Sequence, residues 1–134
     1  MAVKNPYKTY QNNTVNTASP GELTLMLYNG CLKFIQLAKR GIEEKNIEQK
    51  NLNIQKAQNI VSELMVTLNM DVEVSKNIMS LYEFIHRRLV EANIKNDLNA
   101  LNEAEALIVD FRDTWKQVIQ LDRQQKFEGK AGQV

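Results

Sequence analysis

Apolar positions in this chain recur three and four residues apart, and that spacing comes in four separate stretches. In the first, Leu23, Leu27, Gly30, Phe34, Ala38 and Gly41 share one face of a helix. Ser19-Pro20-Gly21-Glu22 stands before it as a start signal, with Ser19 as N-cap, Pro20 in the first turn and Glu22 placed to close a capping box. This predicts a helix over about 19–44. A second, over about 47–68, carries Ile54, Ala57, Val61, Leu64 and Leu68 as its stripe. A third, over about 75–96 behind a Ser75 cap, carries Ile78, Leu81, Tyr82, Ile85, Leu89 and Ala92. Asp97 caps a fourth over about 98–122, with Leu101, Ala104, Ile108, Phe111, Trp115 and Val118 on one face.

Segments of about twenty residues are about 30 Å long at 1.5 Å per residue. Connections of a few residues make successive helices antiparallel. The expected fold is therefore all-α: an antiparallel up-down-up-down four-helix bundle over 19–122, with an N-terminal arm, residues 1–18, lying on it. After Asp122 the composition turns polar, and 123–134 reads as a flexible tail.

Composition narrows the function. The chain has 134 residues, enough for one core, with 25% charged residues and a formal net charge of +1. Such a balance offers no field to draw nucleic acid or an anionic membrane. No apolar run approaches the roughly 18 residues of a membrane span, and residues 1–19 do not resemble a signal peptide. The lone Cys31 cannot form an internal disulfide, which suits a reducing cytosol, so a cytoplasmic location is expected.

Catalytic chemistry finds no foothold. Four-helix bundles can hold di-iron carboxylate sites, and Glu83-Phe84-Ile85-His86 supplies one Glu-x-x-His motif. The site needs that motif twice, and His86 is the single histidine. Cys31 falls mid-helix at the edge of an apolar face, without the basic neighbour or helix N-terminus that activates a thiol. No glycine-rich phosphate loop occurs. The expectation is a binding protein, not an enzyme, with no cofactor, metal or catalytic residue.

The surplus of apolar residues suggests where it binds. Beyond the core stripes, the first helix places Leu25, Tyr28 and Leu32 on its far side. The third carries a second stripe of Met79, His86, Val90 and Ile94, and the second adds Leu52, Val66 and Met70 on its outer face. Contiguous exposed apolar surface marks partner sites, and a groove between helices suits an amphipathic guest helix. The polar leader NPYKTYQNN holds Tyr7 and Tyr10, three residues apart and able to anchor on one apolar surface. Arg87-Arg88 reads as a solvated face or as a guide for an acidic partner.

These residues carry a resemblance. The leader NPYKTY, then VNTASPGELTLMLYNGCLKFI (Val15 to Ile35), RRLVEANIKND (Arg87 to Asp97) and DFRDTWKQVI (Asp110 to Ile119) resemble the flagellar secretion chaperone FliS family in order and spacing. The resemblance implies a cytosolic bundle that binds the disordered C-terminal segment of flagellin. It further implies that the chaperone prevents premature polymerisation and delivers its client to the flagellar type III export apparatus. It also implies that an arm matching Tyr7 and Tyr10 occupies part of the client surface, docks on the membrane export gate component FlhA, or does both. A self-associating bundle, or an adaptor for another flagellar or regulatory protein, is the alternative reading. On that alternative a homodimer is one form open to the chain in the absence of client.

Overall fold

The computed structural model describes residues 19–132 of the chain. It contains four helices: α1 (Pro20–Glu43), α2 (Ile47–Thr67), α3 (Glu73–Lys95) and α4 (Leu98–Gly132). They form an antiparallel bundle in which α1 and α3 each pack on both α2 and α4. The arm expected over 1–18, with Tyr7 and Tyr10, lies outside the described residues.

Local chemistry sets most of the boundaries. The Ser19 hydroxyl accepts from the Glu22 amide at 3.2 Å and starts α1. The Glu22 carboxylate pairs across the bundle with Arg123. Asn46 caps α2 by accepting from the Gln49 amide, and Asp97 caps α4 by accepting from the amides of Asn99 and Ala100. Asn96 ends α3 at φ 52°, a left-handed conformation that asparagine tolerates better than most residues.

Two expected limits differ. Ser75 is not a cap: α3 begins two residues earlier at Glu73, behind Val72, and Ser75 is buried inside its first turn. The fourth helix does not stop at Asp122. It continues to Gly132, because the segment contains no proline and is rich in Gln, Lys and Glu, which favour helix. A Lys126–Asp122 ion pair one turn apart adds modest support.

The core is a continuous apolar cluster drawn from all four helices, including Ile35, Ile54, Leu64, Ile85, Leu101 and Ile108. On α1 the buried face is rotated by roughly a sixth of a turn from the expected stripe. Leu27, Tyr28, Cys31, Leu32, Ile35 and Ala38 are inside. Tyr28 and Leu32 are thus core residues rather than far-side ones, since α1 must cover both α2 and α4. Lys50 is also buried: its ammonium donates to the Asn93 carbonyl at 2.8 Å and to Asn96 Oδ1 at 2.5 Å. The ammonium thereby closes the C-terminal end of α3, where a cation complements the helix dipole.

Cys31 has no exposed surface, and burial pushes its thiol up to about 12. It is a packing residue. We expect an aromatic disulfide reagent at pH 8 to leave it unmodified in the native protein and to titrate one thiol after denaturation. Rapid native reaction would contradict its placement.

Candidate functional site

The apolar excess gathers at one end of the bundle. There α1 begins, α2 ends, α3 begins and the later part of α4 passes. Met70, Val72, Val74, Leu81, Val118 and Leu121 are all more than 40% exposed in this region. Between α3 and α4 a groove of about 510 Å³ opens. Ile78, Leu81 and Tyr82 line it from α3, and Leu107, Phe111, Trp115 and Val118 from α4. Tyr28 closes it from α1, and Leu68 from the end of α2.

Three aromatic side chains build its floor. Phe111 stacks on Tyr28 with ring centroids 5.8 Å apart and meets Tyr82 at 5.1 Å with a 49° tilt. The Tyr28 and Tyr82 hydroxyls hydrogen-bond each other at 2.6 Å. Burial raises the pKa of both phenols, so they stay neutral across the physiological range. Trp115 is only half-buried, and its Nε1–H donates to the Gly21 carbonyl at 2.7 Å. That bond ties the first turn of α1 to the groove wall. Pinned aromatics cost little entropy on binding and bury large area, as an anchoring surface requires.

Charge is sparse in the groove. Asp110 is the one formally charged residue among the described lining residues, and it makes no ion pair with any of them. Further up the α3–α4 seam, Arg88 binds Glu103 at 3.1 Å and Glu91 at 2.5 Å. Lys95 also bonds Glu91, and together Lys95 and Arg88 lower the carboxyl's pKa. Arg88 is therefore engaged within the bundle, whereas Arg87 lies over the Phe84 ring at 6.0 Å.

The surface residues expected from the sequence do not form one patch. Of that set, Tyr28 alone lines the groove. Leu25, Met79, His86 and Val90 are half-buried, Leu32 lies at the α1–α4 seam, and Ile94 is exposed near the far end of α3. Leu52 and Val66 are 52% and 78% exposed on α2. Leu81, Phe111, Trp115 and Val118, expected in the core stripes, instead form the groove wall. Among the described residues no group of three or more His, Cys, Asp or Glu is placed to hold a metal ion. No described helix is long and apolar enough to cross a membrane.

Known proteins share this sequence and this shape. The family model described as flagellar protein FliS matches residues 3–122. A flagellar secretion chaperone FliS from Bacillus subtilis (strain 168) is 57% identical over 126 residues, covering 94% of this chain and 95% of the relative. The flagellar secretion chaperone FliS of Escherichia coli (strain K12) is 34% identical over 108 residues, 78% of this chain and 79% of its own length. A crystal structure of a bacterial flagellar chaperone superposes with a TM-score of 0.71 at 16% identity, covering 86% of this chain and 95% of the solved one. That last likeness concerns the fold alone.

Proposed function

We propose, since this chain belongs to the flagellar protein FliS family of secretion chaperones, that its client is the disordered C-terminal segment of flagellin, held from the cytosol for export. Binding there keeps flagellin from polymerising early, and the loaded chaperone delivers it to the export gate component FlhA. The observation that carries this reading is the aromatic groove at the open end of the bundle, with exposed apolar residues around it. A disordered client gains helix as it docks, so part of the interaction energy goes into ordering it. No catalytic group or nucleotide is needed for that task.

Tyr7 and Tyr10 belong to the same proposal. The leader joins α1 at Ser19, and Trp115 holds the first turn of that helix against the groove wall. The groove wall therefore stands beside the point where the leader begins. We expect the arm to occupy part of the client surface in the empty protein and to be free for FlhA in the loaded one. Met79, His86 and Val90 then offer a further stretch for a client long enough to wrap the bundle.

The test is calorimetric titration of a flagellin C-terminal peptide into the full chain and into a version lacking residues 1–17. Tight binding to both, at least tenfold tighter after deletion, is expected; a competing arm worth about 1.4 kcal/mol gives that factor. Absence of binding to either protein would refute the flagellin reading. Unchanged affinity would remove the arm from the groove.

A further inference from the structure

The two long walls of the groove differ in chemistry. From α3 come Ile78, Leu81 and Tyr82, none of them charged. From α4, Asp110 and Thr114 stand one turn apart beside Phe111. Asp110 is exposed and is the single charged lining residue, so the trough carries one negative charge, on the α4 side. Nearby cations do not offset it. Among the described residues Asp110 makes no ion pair. Arg112 is drawn to Asp113 at 3.0 Å, Lys126 pairs with Asp122, and Lys76 of α3 pairs with Glu73. Lys116 makes no ion pair either, yet it does not line the groove.

This asymmetry matters to a guest helix. Apolar contact is non-directional, so an apolar trough alone sets neither the direction nor the register of a helix laid in it. A charge on one wall sets both. A guest that covers the groove also strips water from the Asp110 carboxylate, which then needs a partner. A second carboxylate would be repelled, whereas Lys or Arg supplies opposite charge and a strong hydrogen bond together. Asp110 lies on the exposed edge, not on the aromatic floor. The cation must therefore stand on the guest's flank, next in sequence to an apolar anchor and about 100° round the helix from it. From there its methylene stem can lie over Thr114 while the charged head reaches the carboxylate.

We propose that Asp110 sets the register of the client helix in the groove, by receiving a Lys or Arg from that helix's flank and turning the flank toward α4. The inference rests on the client-binding role proposed above. It adds a charge requirement that the apolar anchors do not impose.

The test is a double-mutant cycle on the full chain, read by calorimetry with the flagellin C-terminal peptide. Asp110 is exposed, so D110N should melt with the wild type. At low salt D110N should bind the native peptide about threefold to tenfold more weakly, and the difference should shrink at about 0.5 M salt as ions screen the pair. Each Lys and Arg of the peptide is then replaced in turn by Gln. One replacement should weaken binding to the wild type by a similar factor and leave binding to D110N unchanged. With Glu at that same peptide position, D110K should bind the altered peptide more tightly than the native one. Equal binding of the native peptide by wild type and D110N would overturn the inference, as would a loss in D110N that no single Lys or Arg of the peptide shares. Failure of the peptide to bind wild type would instead refute the client reading itself, so the two failures are distinct.

Discussion

Replacing Gly41 by alanine is expected to lower the melting temperature by about 10 °C, a loss of about 2–3 kcal/mol. A glycine inside a helix ordinarily gains about 1 kcal/mol on conversion to alanine, because the unfolded chain loses freedom and propensity improves. Gly41 reverses that sign. A β-carbon built there meets the Lys50 backbone nitrogen at 2.7 Å, its Cα at 3.0 Å and the Asn46 carbonyl oxygen at 3.2 Å. All three are backbone atoms of the turn into α2 or of its first turn, so relief requires the whole helix to move. Movement there also disturbs Lys50, whose ammonium closes the end of α3. Gly30 on the same helix is the control. Its added β-carbon meets only the flexible tip of Ile60, at 3.3 Å, so Gly30→Ala should stay within about 1 kcal/mol of the wild type. Thermal melts of the two variants decide the matter: equal Tm values would show that α1 and α2 are not packed as described.

Leu81→Arg is expected to abolish most client binding with little effect on stability. Leu81 is 41% exposed on the α3 wall of the groove, so a long side chain there can carry its charge to water. The folded protein should therefore melt within about 1 kcal/mol of the wild type. Client docking, in contrast, must cover that position and bury a guanidinium against Phe111 and Val118. Losses at the centre of an interface run to about 2–4 kcal/mol, roughly thirtyfold to a thousandfold in Kd. Leu52→Arg and Val66→Arg on the outer side of α2 should shift affinity by no more than about threefold, as expected where a wrapping client makes only peripheral contact. Calorimetry with the flagellin peptide compares all three. A larger loss at Leu52 or Val66 than at Leu81 would move the main site off the groove.

The legibility of this molecule in its sequence varied with the kind of interaction. Ser19 and Asp97 were readable as caps because capping is a local bond, closed within three residues. The number of helices followed from spacing for the same reason. The phase of α1 did not, because LTLMLYNGCLKFI is apolar on much of its circumference and two stripes fit it equally well. Tyr28 and Leu32 were consequently expected outside, and the structure buries them. Lys50 shows a different gap: its acceptors, Asn93 and Asn96, lie more than forty residues away on α3. The groove was missed for the opposite reason. Leu81, Phe111, Trp115 and Val118 have the spacing of core residues, and only the meeting of three helix ends beside the continuing α4 leaves them uncovered. Apolar periodicity identifies surface that must be buried, without distinguishing burial by the chain from burial by a client.

Trp115 supplies the most direct test of the central claim. It is the single tryptophan of the chain and stands half-buried in the groove wall. Its emission should be followed while a tryptophan-free flagellin C-terminal segment is titrated into the full-length protein. A saturable blue shift, with the affinity found by calorimetry, is the predicted result, since a docked helix removes the indole from water. Calorimetric binding without any change in Trp115 emission would contradict the account, because the client would then be held elsewhere on the bundle.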